Sequence, residues 1–257
     1  MNPTALRAKL AKGEACFGLM AFEFFTPGLP QVLAAAGAEY LIIDMEHSGI
    51  GIDTVKQQIA AARGLDIAPW VRVPGSHYHL IATILDAGAW GIMAPLVETQ
   101  EQAQNIADWC RYRPVGKRGL AFNMSHDDYL PGDIVAKMKA ENKRTTVIAL
   151  IESVKGIANA DAILGVKGVD IGWLGHYDLS DSMGIPGQFD HPDFVAAVDK
   201  LVAAANKHKK PLGFMDGNLE LVETMIARGF RVIGFGTDIS LLQSAFRQGL
   251  ARLKGKR

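Results

Sequence analysis

The amino-acid sequence predicts an α/β protein built as one closed parallel barrel, a (β/α)8 or TIM barrel. The chain has 257 residues, a usual length for such a barrel in a single domain. Eight short apolar runs alternate with longer amphipathic segments from one end of the chain to the other. Hydrophobic residues make up 49% of the chain, which is enough for a large core. We therefore predict one domain spanning residues 1–257.

The strands are predicted from short apolar runs that turn-forming residues separate. Some runs, such as YLII and VIALI, are continuously apolar, as expected for parallel strands that are buried on both faces. The eight predicted strands are Cys16–Ala21, Tyr40–Met45, Ala68–Val73, Gly91–Pro95, Thr146–Ile151, Val169–Leu174, Pro211–Met215 and Arg231–Phe235.

The helices are predicted from amphipathic segments between these strands. A glycine ends four of the helical segments, at positions 37, 64, 88 and 229, just before a strand begins. The clearest helical segments are Gly51–Arg63, Gln100–Arg111 and Phe194–His208.

The connection between the fourth and fifth strands, from Val97 to Thr145, is longer than the others. It contains two predicted helices, around Gln104 and Lys137, with a polar, turn-rich segment between them. Long connections inside a compact domain usually carry function or form interfaces.

Charge and composition exclude several classes of partner. Lysine plus arginine and aspartate plus glutamate number 27 each, so no net charge favours nucleic acid or an anionic membrane. The one basic cluster, at residues 252–257, is interpreted as a solubilising terminus. No apolar run approaches the roughly 18 residues of a membrane span, and the first residues lack the apolar core of a signal peptide. Cys16 and Cys110 have no metal-binding spacing, so we expect buried thiols in a reducing cytoplasm.

Two carboxylates follow neighbouring predicted strands. Glu152 comes directly after the fifth strand, and Asp178 comes shortly after the sixth. Since barrel active sites lie at the C-terminal ends of the strands, the two side chains can share one Mg²⁺ or Mn²⁺ ion. The alternative interpretation is that each carboxylate caps the helix that follows it.

Asp44 and His47 are three residues apart just after the second strand. An aspartate that accepts a hydrogen bond from one imidazole nitrogen raises the basicity of the other, which would make a general acid–base pair. The alternative is a loop histidine paired with a backbone carbonyl.

Arg72 ends the third predicted strand. A guanidinium at the mouth of a barrel can bind a substrate carboxylate through two parallel hydrogen bonds. The alternative is a structural ion pair across the rim, with Asp44 or Glu46.

Taken together, these strand-end residues resemble the HpcH/HpaI aldolase family, the metal-dependent class II pyruvate aldolases. The likeness runs from about Phe17 to Leu250. It is carried by eight short motifs in a fixed order: LIIDMEH (Leu41–His47), VRVP (Val71–Pro74), LDAG (Leu85–Gly88), APLVET (Ala94–Thr99), RYRPVGKRG (Arg111–Gly119), ALIES (Ala149–Ser153), GHYDLS (Gly175–Ser180) and GFGTDISLL (Gly234–Leu242).

The resemblance implies a role for several residues. Glu152 and Asp178 match the ligands of a divalent cation, Mg²⁺, Mn²⁺ or Co²⁺. His47, supported by Asp44, matches the acid–base histidine, and Arg72 matches the arginine that binds pyruvate.

The resemblance also implies an assembly and further contacts. Asp86 matches an acid that reaches into a neighbouring subunit's site. The family is typically hexameric, a dimer of trimers, with its last helix exchanged between subunits; the matching segment is Ile239–Leu253. We add Met215, at the end of the seventh strand, to the substrate-contacting candidates.

The sequence departs from the family pattern at three positions near the site. Leu150 stands where the family usually has glutamine, and His176 and Tyr177 stand where it usually has proline and alanine. These changes leave the expected metal ligands and the base in place. We expect His176 and Tyr177 to contact the substrate and to bias the choice of aldehyde.

The resemblance implies cleavage or formation of 4-hydroxy-2-oxo acids, with pyruvate as the enolate donor and an aldehyde as the acceptor. No lysine stands at the ends of the sixth or seventh strands, which argues against an imine-forming aldolase. The alternatives are a magnesium-dependent lyase of the citrate or malyl-CoA type on the same scaffold, and a barrel without catalytic activity.

Overall fold

A computed structural model describes residues 3–255 and shows a closed barrel of eight parallel strands. Each strand pairs with the next along the chain, and β8 pairs with β1. This confirms the predicted fold class. Residues 1, 2, 256 and 257 of the predicted domain, including the end of the basic cluster, lie outside the described residues. The strands are β1 Cys16–Ala21, β2 Tyr40–Asp44, β3 Ala68–Arg72, β4 Gly91–Ala94, β5 Thr146–Ile151, β6 Ile171–Leu174, β7 Leu212–Asp216 and β8 Phe230–Thr237.

The helices surround the barrel. The connection from β4 to β5 contains two of them and a short 3₁₀ turn, Ser125–Asp127, as its composition suggested. The α-helices between residues 3 and 255 are α1 Pro3–Ala11, α2 Leu29–Ala35, α3 Ile52–Ala62, α4 Tyr78–Asp86, α5 Gln100–Trp109, α6 Ile134–Arg144, α7 Val154–Ala158, α8 Ala160–Leu164, α9 His176–Ser182, α10 Pro192–His208, α11 Leu219–Ala227 and α12 Asp238–Lys254. Within the same residues, no helix has the length and apolar composition that crossing a membrane requires.

Two strands have the predicted bounds, and the other six differ by one or two residues at an end. The sixth strand begins at Ile171 rather than at Val169. Asp170, just before it, uses its carboxylate to accept hydrogen bonds from Arg111 and from the backbone N–H of Val147. The four glycines predicted to end helices all have positive φ, between 73° and 104°. Both cysteines are buried free thiols, as expected.

The core has two layers. Strand side chains that point inward form a cluster containing Met20, Ile42, Trp70 and Trp173, while outward-pointing side chains pack against the helices. The unpredicted helix α1 adds Leu6 to the inner cluster. The inner cluster fills the barrel, which is therefore a packed core and not a channel.

Helix α12 carries apolar side chains that its own chain leaves exposed. Leu242, Phe246 and Leu253 are 59%, 66% and 69% exposed, and α12 contacts mainly β1 and β8. A helix with an uncovered apolar face normally buries that face against another surface.

The first residue of α12 ties this helix to the loop after β1. The buried carboxylate of Asp238 accepts hydrogen bonds from the backbone N–H groups of Phe22, Glu23 and Phe24. It therefore holds the position of Phe22, whose ring lies 5.5 Å from the guanidinium carbon of Arg72.

Replacing Asp238 by alanine is expected to lower the free energy of unfolding by about 1–3 kcal/mol, because three backbone donors lose their acceptor. Urea denaturation measures this change. Asp53→Ala is the matched control, because Asp53 is an exposed acid in the first turn of α3. The control should cost less than about 1 kcal/mol. Equal losses in both variants would show that Asp238 acts only as a charge at the start of a helix.

Candidate active site

A cavity of about 160 Å³ opens at the C-terminal end of the barrel. Residues from the ends of seven strands, or just beyond them, line it, as the fold predicts for an active site. The lining residues are Met20, Phe22, His47, Arg72, Met93, Leu150, Glu152, Trp173, Leu174, Gly175, His176, Tyr177, Asp178 and Met215.

Arg72 is held between two carboxylates on one side of the cavity. Its Nε donates to Oδ1 of Asp44 at 2.5 Å, and its Nη1 lies 3.1 Å from Oε2 of Glu46. Among the described residues, its buried Nη2 has no hydrogen-bond partner. The ion-pair interpretation of Arg72 is therefore confirmed for Nε and Nη1. The unpaired Nη2 leaves this guanidinium, which lines the cavity, with one free donor for an anion.

The structure corrects the predicted contact between Asp44 and His47. The buried Asp44 carboxylate accepts from the backbone N–H groups of Glu46 and His47 and from Arg72, with no imidazole bond between described residues. The His47 side chain is 60% exposed, and its Nε2 lies 3.8 Å from Oε2 of Glu46. Asp44 thus orients Arg72 and the backbone before His47. The Asp44 carboxylate does reach the residue three positions later. Because the chain turns tightly there, the carboxylate accepts from the backbone N–H of His47 and not from its imidazole.

Glu152 is buried against the end of β6. Its Oε1 accepts a hydrogen bond from the backbone N–H of Leu96 at 2.8 Å. A Cβ on Gly175 would lie 2.4 Å from Oε2 of Glu152, so only glycine leaves room for this carboxylate. Burial, together with the negative charges of Asp178 and Glu46, raises the pKa of Glu152 to about 7, although the Leu96 hydrogen bond and Arg72 oppose this. The helix-capping alternative is contradicted for Glu152, since Ser153 caps α7. Asp178 lies in the first turn of α9, which has no side-chain capping hydrogen bond.

The Glu152–Asp178 pair has the chemistry of a site for a hard divalent cation. Both carboxylates line one cavity, and the charge of Asp178 contributes to the raised pKa of Glu152. Such mutual repulsion is relieved when a cation binds between the carboxylates. Residues 3–255 contain no group of three or more His, Cys, Asp or Glu side chains arranged to bind a metal. Two carboxylates are too few to fill the coordination of a hard cation, so water and substrate oxygens would have to supply the remaining ligands.

His176 and Tyr177 both line the cavity, as expected, and the structure adds an unforeseen partner. Nε2 of His176 lies 2.9 Å from Oδ2 of Asp216, the last residue of β7. Burial alone would raise the pKa of Asp216, but hydrogen bonds from His176 and from backbone N–H groups lower it. The contact itself joins residues 40 apart, which no local pattern indicates.

The floor of the cavity is apolar. Met215, a predicted substrate contact, packs with Trp173, Leu150 and the methionines Met20 and Met93 at the top of the inner core. Leu150 is 2% exposed, so the departure from glutamine extends this floor.

Asp86 is not among the residues that line the cavity of its own chain. Its Oδ1 accepts a hydrogen bond from the fully buried Arg118, whose guanidinium packs over the ring of Tyr112 at 4.6 Å. Asp86 therefore anchors the long connection between β4 and β5.

Comparisons with known proteins agree with this arrangement. The profile of the family described as HpcH/HpaI aldolase/citrate lyase matches residues 23–245. The hydroxypyruvate/pyruvate aldolase of Roseobacter denitrificans is 32% identical over 250 residues, which cover 96% of each chain. The 5-keto-4-deoxy-D-glucarate aldolase of Shigella dysenteriae is 32% identical over 243 residues, which cover 95% of this chain and 94% of the relative.

Among solved structures, an HpcH/HpaI aldolase from Desulfitobacterium hafniense superposes with a TM-score of 0.91 at 28% identity. The superposition covers 97% of this chain and 96% of that one. The likeness thus extends over the whole barrel, and the two relatives and this structure are named as aldolases. The chain belongs to the HpcH/HpaI aldolase/citrate lyase family.

Proposed function

We propose that this enzyme is a metal-dependent aldolase that cleaves or forms 4-hydroxy-2-oxo acids, with pyruvate or a close relative as the donor. The observation that carries the proposal is the unpaired, buried Nη2 of Arg72, a residue that lines the same cavity as Glu152 and Asp178. A 2-oxo acid offers a carboxylate to the guanidinium and oxygens to a cation. The names of the two relatives, both aldolases of 2-oxo acids, support this donor.

Each side chain has a distinct task in the cleavage direction. Glu152 and Asp178 would hold Mg²⁺, Mn²⁺ or Co²⁺, which stabilises the negative charge of an enolate when bound. Arg72 binds the carboxylate and adds a second positive charge. Asp44 and Glu46 keep Arg72 in place, since each contacts one edge of its guanidinium.

His47 is the proposed base. In cleavage, it removes the proton of the 4-hydroxyl group and the bond between C3 and C4 breaks. The electron pair moves to the oxygen on C2 and leaves the enolate of pyruvate, while C4 departs as the aldehyde. The exposure of His47 at the cavity mouth allows proton exchange with solvent.

The proposal is tested by incubating the enzyme with pyruvate and a panel of aldehydes, with Mg²⁺, Mn²⁺ or Co²⁺, and identifying products by mass. We expect 4-hydroxy-2-oxo acids that form only with a divalent cation and disappear with chelator. Citrate and acyl-CoA thioesters are included as competing substrates. Turnover of those alone would indicate the citrate or malyl-CoA type of lyase, and inertness to all would indicate a barrel without catalytic activity.

We also propose that the enzyme acts as a homo-oligomer, a hexamer in which α12 packs against a neighbour and Asp86 lies near the neighbour's site. The exposed apolar face of α12, with Leu242 and Phe246, supports this assembly. The balanced charge and the buried free cysteines support a cytoplasmic enzyme of small-molecule substrates, without nucleic-acid or membrane partners.

Replacing Phe246 by aspartate should weaken the association of subunits by about 10- to 100-fold, because one large apolar contact is lost. Light scattering over a dilution series measures the mass. Gln243→Asp is the control, since it adds the same charge at an exposed polar position of α12. If Phe246→Asp leaves the mass unchanged at every concentration, or if the wild type is a monomer, the assembly proposal is wrong.

A further inference from the structure

The β6–β7 side of the cavity contains a buried histidine–aspartate pair that the reaction described above does not use. The imidazole of His176, the first residue of α9, is fixed by Asp216 at 2.9 Å. Three aromatic rings surround it, with centroids 4.4 Å away for Tyr177, 4.8 Å for Phe189 and 4.7 Å for Phe214. The His176 side chain is only 6% exposed. The imidazole is therefore held in one orientation.

The contact with Asp216 sets the hydrogen-bonding character of the other ring nitrogen. A carboxylate only accepts hydrogen bonds, so Nε2 of His176 donates. In the neutral imidazole, Nδ1 then carries the lone pair and acts as an acceptor. No residue between 3 and 255 makes a hydrogen bond to this Nδ1, and His176 lines the cavity. The site thus offers a fixed acceptor to a ligand.

The barrel places this acceptor on the far side of the substrate. In a closed barrel of eight consecutive strands, β2 and β3 lie opposite β6 and β7. When the carboxylate of pyruvate binds Arg72 at the end of β3, the part of the substrate that comes from the aldehyde faces His176. Arg72 is the only arginine or lysine among the described residues that line the cavity. The acceptor portion therefore lies on a side of the cavity where no described lining residue is an arginine or a lysine, and where Asp216 lies beside His176, so an anionic group is disfavoured there.

We propose that His176 determines the choice of acceptor by accepting a hydrogen bond from a hydroxyl group of the aldehyde. The preferred acceptors are uncharged hydroxyaldehydes. This inference rests on the proposed aldolase function and adds the acceptor class to it.

The experiment compares matched aldehyde pairs with pyruvate as the donor: glycolaldehyde with acetaldehyde, and glyceraldehyde with propanal. The members of each pair differ only in hydroxyl groups. The measured quantity is the ratio of kcat/KM within each pair. For the wild-type enzyme, we expect the hydroxyaldehyde to be favoured on the order of 10- to 100-fold, the effect of leaving one buried polar group unpaired.

His176→Phe keeps an aromatic ring among its three neighbours but has no acceptor atom. We expect its ratio to fall to within about 3-fold of unity, because neither member of a pair then gains the hydrogen bond. A general loss of structure would lower kcat/KM for both members of a pair and leave the ratio unchanged. His79→Phe, an exposed histidine on α4, is the control and should keep the wild-type ratio.

The outcomes separate the two proposals. If the wild-type enzyme uses both members of each pair equally well, the role of His176 is disproved and the aldolase function is not. This outcome does not depend on whether the variant folds. The role of His176 is also disproved if His176→Phe keeps the wild-type preference. If no aldehyde reacts with pyruvate, the aldolase function fails and the acceptor proposal falls with it.

Discussion

Replacing Glu152 by glutamine is expected to lower aldol turnover by about 10²- to 10³-fold or more, although the two side chains have nearly the same shape. Glutamine removes one of the two carboxylate charges that would hold the cation, at a position that is only 5% exposed. Steady-state kinetics over a range of Mg²⁺ and Mn²⁺ concentrations measures the loss. Added metal should restore the activity only partly.

A second readout does not depend on turnover. The pKa of Glu152 is raised from 4.5 to about 7 in the folded chain. In metal-free protein, the folded state therefore keeps this proton over a pH range in which the unfolded state releases it. The contribution of Glu152 to stability then decreases as pH rises from about 4.5 to 7. Glu152→Gln should remove this decrease, and saturating cation should weaken it in the wild type.

Two companion variants sharpen the interpretation. Glu98→Gln is the matched control. The Glu98 carboxylate contacts Ser153 and Lys155, just after Glu152 in the chain, and does not line the cavity. It should change turnover by less than about 3-fold. Gly175→Ala retains the carboxylate but places a Cβ 2.4 Å from its Oε2, so it should reduce activity by displacing Glu152. Near-wild-type activity of Glu152→Gln in chelator would disprove the metal assignment.

His47→Ala is expected to separate two reactions that share one product. Aldol cleavage should fall by about 10²- to 10⁴-fold, since a base must remove the hydroxyl proton. Oxaloacetate differs from pyruvate by a carboxylate on the methyl carbon, and loss of CO₂ leaves the same enolate without any proton removal. We therefore expect the wild type to decarboxylate oxaloacetate as a side activity and His47→Ala to retain most of it.

The same pair of assays distinguishes His47 from the groups that stabilise charge. Arg72→Ala and Glu152→Ala should lose both reactions. The first removes a positive charge that stabilises the shared enolate, and the second weakens binding of the cation that does the same. Arg72→Ala also leaves Asp44 buried without its cationic partner, so its fold must be verified by circular dichroism. His79→Ala, an exposed histidine away from the cavity, should lose neither reaction. Equal losses of both reactions in His47→Ala would assign His47 to binding rather than to proton transfer.

The barrel and the position of its site follow from local patterns. Continuous apolar runs such as VIALI identify buried parallel strands, and the polar residue after each run lies at the C-terminal rim because every strand points the same way. This reasoning predicts one shared site for the strand-end residues His47, Arg72, Glu152 and Asp178. In the structure, all four line the same cavity. Short helices such as α9 were missed, because a single turn or two carries no clear periodicity.

The particular partners within the site required the folded chain. Asp44 meets Arg72 across 28 residues, His176 meets Asp216 across 40, and Asp238 meets Phe22 across 216. Hydrogen bonds of this kind depend on angles and distances of a few tenths of an ångström between separate strands, which residue spacing does not encode. Periodicity and strand-end chemistry therefore sufficed for the fold, the cavity and the expected ligands. Only the closure of the barrel decided that Asp44 pairs with Arg72 and not with the His47 imidazole, that one edge of the guanidinium stays free, and how His176 is oriented.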